Sequence, residues 1–528
     1  TQYLASPFQL TRIRDLAPAD NVDTITLQDI LGDPMIKECW NFNFLFDIDF
    51  VMRHFDPDIR TLVQLNVVHG FWKTDDDRRI ALEEASEVYS NVKLISAYMP
   101  DPFGTHHSKM LILVRHDEHA QVVIHTANMI SRDWGNMTQA VWRSPLLSLL
   151  DKSKNPSNEE QPHRVGSGER FKSDLLRYLS AYGKRLTVLI DQVKLYDCSP
   201  IRAAFIGSTP SRQKLNIVKP GQTSWGWLGL QDILSTIPSA PSTPSEPPHI
   251  VIQISSIATL GQTTNWLSHF QSVLSTTASP SSSAPPTSSV PSSSSSVKAS
   301  AFFAKRTPES LVRKAPDPKF NVIFPTASEI RTSLDGYASG ASIHTKLQSA
   351  AQQKQLIYLR PILCHWRHSS YTEESKPGQE VGIRSAGRGP AAPHIKTYIR
   401  FKDESGQEID WAMLTSANLS KQAWGDVENK NGEVWIQSWE TGVVVWPGLF
   451  SEDEAKDSEI VKMVPTFGTD MPSEDSVGAQ GGIEGKEGKV VGLRMPYDLP
   501  LESYKDEVPW CATARHMEPD WKGKMWKG

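Results

Sequence analysis

The chain has 528 residues, a formal net charge of −5, an apolar content of 39% and four cysteines. That length exceeds one ordinary core and points to two domains or one large two-lobed unit. The balance excludes a chain that is basic overall, and Cys39, Cys198, Cys364 and Cys511 are too scattered for a disulfide framework or a CxxC zinc site, which suits a reducing compartment.

In chain order, the start "TQYLASPFQLTRIRD" carries no apolar run of the signal-peptide kind, and the absence of an initial Met suggests that a preceding part carried targeting information. No stretch reaches the roughly 18 apolar residues of a membrane span, so no membrane association is expected. Short β-branched runs follow: "VQLNVVHGF", "NVKLISAYM", "KMLILV", "AQVVIH" and "AAFIGS" predict the strands of one sheet. "ERFKSDLLRYLSAYG" and "NWLSHFQSVL" have helical spacing. "HIVIQISS", "KFNVIFP", "QLIYLRPIL", "KTYIRF" and "DWAMLTSA" predict a second sheet. Strand–helix alternation predicts an α/β fold with partly parallel sheets. Three segments read as flexible inserts: residues 240–249, the Ser/Pro tract 276–300, and the polar, Gly/Pro-punctuated stretch 370–392, expected as a long surface loop. The expected division lies between 212 and 213.

The informative pattern is internal repetition. "GTHHSKM" contains His107 and Lys109, followed by "HTANMISRDWG" with Asn128. "PHIKTYIRF" contains His394 and Lys396, followed by "TSANLSKQAWG" with Asn418. Both copies run in the same order: His-x-Lys opening a strand, a second strand, Ala-Asn, then Trp six residues after the Asn, then Gly. The His-to-Asn spacing is 21 residues in the first copy and 24 in the second. One His-x-Lys at a strand start is ordinarily a solvated strand end. Two copies in register make the chain a duplicated unit with one half-site per half.

Residues i and i+2 of a strand share a side, so each His-Lys pair points one way. Packed about a pseudo-two-fold axis, the halves would bring together two His, two Lys and two Asn. This set suits a phosphodiester. The lysines and asparagines donate to non-bridging oxygens. One imidazole attacks phosphorus, and the other protonates the leaving group and then activates water. His106 and His125 face Pro393 and Thr415 in the second copy and read as structural. A metal centre built from His106, His107 and His125 ranks low, because the second half does not repeat it and no carboxylate cluster accompanies it. No metal or other cofactor is expected.

These motifs resemble those of the phospholipase D superfamily. In most of that superfamily an Asp stands where this chain has Val114 and Phe401. The departure is similar to that of the tyrosyl-DNA phosphodiesterase family, as are "FGTHHSKM", "VVIHTANMISRDW", "LTSANLSKQAWG" and the ending "MPYDLPLESYKDEVPW". The resemblance implies two similar phospholipase D-like domains, each a mixed sheet flanked by helices, with the site between them. It also implies metal-free hydrolysis of the bond between tyrosine and a DNA 3′-phosphate, as left by a stalled type IB topoisomerase, and action on other blocked 3′ ends. The implied partners are single-stranded or duplex DNA ends and a topoisomerase-derived peptide. His107 would be the nucleophile and His394 the acid and then the base. Lys109, Lys396, Asn128 and Asn418 would bind phosphate. Gln139 and Glu440 would replace the missing Asp residues in orienting the imidazoles. Phe103 would stack on a base, Ser255, Ser256 and Ser420 would lie near the phosphate or DNA backbone, and Trp510 would border the site. A nuclear location and a monomer are expected. The alternatives are a phospholipase D-type lipase, a nonspecific nuclease, or an inactive relative that only binds nucleic acid. An intact imidazole pair argues against the last.

Overall fold

The computed structural model describes residues 1–151, 163–215, 222–239, 246–278, 317–369, 382–452, 460–473 and 488–528. The strands of the first half are β1 (Gln2–Leu4), β2 (Gln9–Leu10), β3 (Ile36–Phe42), β4 (Gln64–His69), β5 (Val92–Ser96), β6 (Met110–Arg115), β7 (His119–His125), β8 (Ala140–Arg143) and β9 (Leu147–Ser148). Those that follow are β10 (Ala204–Ser208), β11 (Ser211–Lys214), β12 (His249–Gln253), β13 (Lys319–Ile323), β14 (Leu363–Cys364), β15 (Thr397–Phe401) and β16 (Ile409–Thr415). Last come β17 (Glu433–Ile436), β18 (Glu440–Val445), β19 (Ile460–Thr466) and β20 (Gly488–Arg494).

Two large sheets carry the duplication. The first has the order β2-β8-β7-β6-β3-β4-β5, with β9 beside β7, and the second has the order β10-β18-β16-β15-β12-β13-β14. The corresponding pairs agree in direction as well as in order. β3–β4 and β4–β5 are parallel, as are β12–β13 and β13–β14. β3–β6 and β6–β7 are antiparallel, as are β12–β15 and β15–β16. The fold is therefore α/β, with two alike mixed sheets.

The structure departs from the expected elements at four points. "AAFIGS" forms β10, the edge of the second sheet, where it pairs antiparallel with β18 just as β2 pairs with β8. Sheet membership thus changes upstream of the expected 212/213 division. "QLIYLRPIL" is mostly the end of a helix, Ala350–Leu359, with only Leu363–Cys364 as strand. A capping box starts that helix: Ser349 Oγ accepts from Gln352 N, and Gln352 Oε1 accepts from Ser349 N. Such a cap stabilises a helix start by about 1 kcal/mol and overrides the β-branched look of the run. Of the insert 370–392, residues 370–381 lie outside the described residues, but Arg388, Ala391 and Ala392 are buried rather than on a surface loop. Their backbone is the approach to His394, held where Thr138 N–H donates to Ala392 O at 3.0 Å. Residues 240–245 and 279–300 are outside the described residues, while His249, expected in an insert, is buried at the start of β12.

Apolar alternation explains the layering. One face of the first sheet, with Leu65, Val67, Leu111, Leu113 and Val123, packs beneath the helices Leu27–Leu31, Ile48–Arg53 and Asp77–Glu87. The opposite face, with Phe42, Val68, Met110, Ile112 and Ile124, joins the core of the second half. The helix Gly168–Ser180 lies across the junction: Phe171 packs on Trp142 of β8 (centroids 5.5 Å apart) and on Phe205 of β10 (5.7 Å). Buried aromatic pairs of this kind contribute about 0.5–1.5 kcal/mol beyond their area. The N-terminal β1 also pairs with β20, tying the chain ends into a third sheet with β19.

Candidate active site

Each His-x-Lys motif sits immediately before the central antiparallel strand of its sheet, β6 or β15, so the pairs project from matching strand ends. What brings them together is backbone exchanged between the halves. His107 N–H donates to Trp439 O and Trp439 N–H to Thr105 O, each at 2.9 Å. On the other side His394 N–H and Ile395 N–H both donate to Thr138 O at 3.0 Å. Trp439 and Thr138 directly precede Glu440 and Gln139, so each half presents its orienting residue to the other half's histidine. Gly104 is required by this stitching, since a Cβ there would meet Gln437 O at 2.1 Å.

The side chains follow. His107 Nδ1 lies 3.0 Å from Glu440 Oε2. A carboxylate accepts only, so it holds Nδ1–H and leaves the Nε2 lone pair free. His394 Nδ1 lies 3.0 Å from Gln139 Nε2 and 3.2 Å from Gln139 Oε1. An amide donates or accepts, so it suits an imidazole that changes protonation state. A hydroxyl anchors each orienting residue within its own half: Thr126 Oγ1 donates to Gln139 Oε1 at 2.8 Å, and Ser416 Oγ donates to Glu440.

Both lysines are fully buried. Lys109 Nζ donates to His107 O at 3.2 Å. Lys396 Nζ donates to His394 O and lies 3.3 and 3.2 Å from the two His394 ring nitrogens. Burial lowers Lys109 to about 8, against the pull of Glu440 and Asp133. Burial, then the charge of Lys109, lowers Lys396 well below its usual value. Burial, with Lys109 next, pushes His107 down to about 4. His394 falls well below its ordinary value through burial, then Lys396, Lys109, His107 and His344. Burial and the neighbouring lysines thus disfavour charge on both imidazoles, and a bound anion would relieve the cost of protonating the buried lysines and the acid ring.

The asparagines are held differently. Asn418 Oδ1 accepts from Ser255 N at 3.0 Å and Ser256 N at 2.9 Å, which engages its acceptor and leaves the amide N–H groups as its donors. Ser256 thus acts on Asn418 through its backbone, and Ser255 through its backbone and, at 3.4 Å, its hydroxyl. Asn128 instead donates Nδ2–H to Asp133 Oδ2 at 2.9 Å. Ser420 Oγ caps the helix Lys421–Trp424 by accepting from Ala423 N at 3.1 Å. Phe103 is 75% exposed in the loop before His107. Trp510, expected to border the site, is fully buried; its indole N–H donates to Gly340 O and Ile343 O, so it supports that turn from beneath and offers no face to a ligand. His106 is structural: its nitrogens are engaged by Asn43 O (3.1 Å) and Tyr182 OH (2.9 Å). Among the described residues no group of three or more His, Cys, Asp or Glu is placed to hold a metal.

The tyrosyl-DNA phosphodiesterase family model matches residues 7–505. The chain belongs to the tyrosyl-DNA phosphodiesterase family. It is 29% identical to the probable tyrosyl-DNA phosphodiesterase of Schizosaccharomyces pombe, over 99% of this chain and 96% of that one. It is 29% identical to tyrosyl-DNA phosphodiesterase 1 of Drosophila melanogaster, over 96% of this chain and 74% of that one. The crystal structure of the yeast tyrosyl-DNA phosphodiesterase superposes with a TM-score of 0.60 at 20% identity, covering 96% of this chain and 99% of that chain, a likeness of fold. Membership makes the protein a phosphoric diester hydrolase and does not favour the lipase and nonspecific nuclease alternatives.

Sequence reasoning missed Thr126, Ser416 and Asp133 in this tyrosyl-DNA phosphodiesterase-family site. The hydroxyls had a signal, because each stands two residues before its Asn in both copies. Asp133 had none: the matching residue of the second copy is Ala423.

Proposed function

We propose that the chain repairs DNA by hydrolysing 3′-phosphotyrosyl bonds, and other blocked 3′ ends, through a phosphohistidine on His107. The observation that carries this reading is the crossed pairing of His107 with Glu440 and of His394 with Gln139, over two buried lysines. His107 Nε2 attacks phosphorus while His394 gives a proton to the departing tyrosyl oxygen. Lys109, Lys396 and the asparagines stabilise the charge on the non-bridging oxygens. His394 then takes a proton from water, the water oxygen bonds to phosphorus, the N–P bond breaks, and a 3′-phosphate leaves. The DNA strand runs past Phe103, the tyrosine belongs to a topoisomerase-derived peptide, and the protein acts as a monomer in the nucleus, where such adducts arise. Both half-sites lie in one chain, which supports a monomer.

The test is a single-stranded oligonucleotide ending in 3′-phosphotyrosine, incubated with the protein in excess EDTA. Conversion to the 3′-phosphate is expected. No conversion in EDTA, with activity restored by zinc or magnesium, would overturn the metal-free scheme, and no conversion under either condition would overturn the substrate assignment.

A further inference from the structure

The two imidazoles have unequal formal partners. Glu440 gives His107 a negative charge, whereas Gln139 gives His394 none. The structure supplies the missing charge from a residue of the first copy that the second copy does not share. Asp133, fully buried in the short helix Ser131–Gly135, places Oδ2 at 3.4 Å from His394 Nδ1. Among the described residues it is the one carboxylate within 4.0 Å of that ring. Its position is fixed from both halves: Asn128 N and Nδ2 donate to Oδ2 at 2.8 and 2.9 Å, and Ser342 Oγ donates to Oδ1 at 3.1 Å.

The groups facing His394 are otherwise hostile to a proton. Lys396, Lys109, His107 and His344 all oppose a charged imidazole, and Gln139 is neutral. A carboxylate near 3.4 Å favours the imidazolium by direct attraction, which is strong between two buried groups. Building on the phosphotyrosyl reading, we infer that Asp133 is the charge partner of His394, a positioning residue that stabilises the protonated ring as it hands its proton to the tyrosyl oxygen. Asp133 thus does for the acid step what Glu440 does for the nucleophile. Gln139, the positional counterpart of Glu440, selects the tautomer without supplying charge.

The experiment is single-turnover release of tyrosine from the 3′-phosphotyrosyl oligonucleotide, followed against pH in wild type, Asp133→Asn, Gln139→Glu and the double variant. Wild type must release tyrosine first; if it does not, the functional reading fails before any variant is compared. In Asp133→Asn, release is expected to slow by about 10- to 100-fold at neutral pH with little change in KM. Its alkaline limb should move down by about one pH unit, because loss of the anion weakens the protonated form. Gln139→Glu in that background returns one carboxylate to His394 Nδ1 and should restore rate and limb. A merely structural role of Asp133 in holding Asn128 could not be rescued from position 139. An unmoved limb, a loss confined to KM, or no rescue in a folded double variant would overturn the inference. If Asp133→Asn does not fold, Gln139→Glu alone decides: a limb shifted to higher pH supports the charge partnership, and an unmoved limb overturns it.

Discussion

Glu440 Oε2 stands 3.0 Å from Nδ1 of His107, a residue 333 positions earlier and in the other half of the molecule. In the proposed scheme the contact fixes the His107 tautomer that presents Nε2 to phosphorus, and it adds charge against the developing cation. Glu440→Gln keeps an acceptor and removes the charge. We expect kcat to fall by roughly 10- to 100-fold with an unchanged melting midpoint, measured on the 3′-phosphotyrosyl oligonucleotide.

His107→Ala should abolish turnover, because it removes the proposed nucleophile. His394→Asn should behave differently. Tyrosine is a good enough leaving group to depart slowly without the acid, but the phosphohistidine then lacks a base for water. A covalent protein–DNA adduct on His107 is expected to accumulate on denaturing gels. A variant that turns over without any adduct would reverse the assigned roles.

The kcat/KM profile reports ionisations of the free protein. His107 attacks only when unprotonated, so activity is lost as pH falls through its value of about 4. In the proposed scheme His394 gives a proton only while protonated, so activity declines as pH rises through its lowered value, and Lys109, which holds phosphate only when protonated, adds a further decline through about 8. A bell-shaped profile, its alkaline side beginning below the ordinary histidine value, is expected. A steep acid limb near pH 6.5, the ordinary histidine value, would mean that burial does not control the nucleophile.

Phe103 is largely exposed in the loop before His107. Phe103→Ala should weaken binding of a single-stranded oligonucleotide by ~1–3 kcal/mol, roughly 5- to 150-fold in Kd, while leaving stability unchanged. Fluorescence anisotropy at fixed salt is the measurement, since phosphate contacts depend on ionic strength. An unchanged Kd would remove Phe103 from the DNA path.

The duplication was legible because repetition survives without knowledge of neighbours: His107, Lys109 and Asn128 could be matched to His394, Lys396 and Asn418 by order alone. The strand order of both sheets then followed the same plan. β3, an interior strand of the first sheet, was not legible, because "IKECWNF" mixes charged and apolar residues and takes its form from two flanking strands. Asp133 was hidden for a different reason. Its function depends on a ring 261 positions later, and its helix of five residues looks like any turn. Trp510 was misplaced because an aromatic near a site and an aromatic beneath one look the same in sequence.

The crossed pairing bears on how such a site could have acquired two different histidines. In a symmetric dimer of single half-units, one gene position would orient both imidazoles, so any substitution there would alter acid and nucleophile together. Once the halves are fused, positions 139 and 440 mutate independently, and each tunes only the opposite ring. Gln at one and Glu at the other is a division of labour open to the tandem chain and closed to its symmetric precursor.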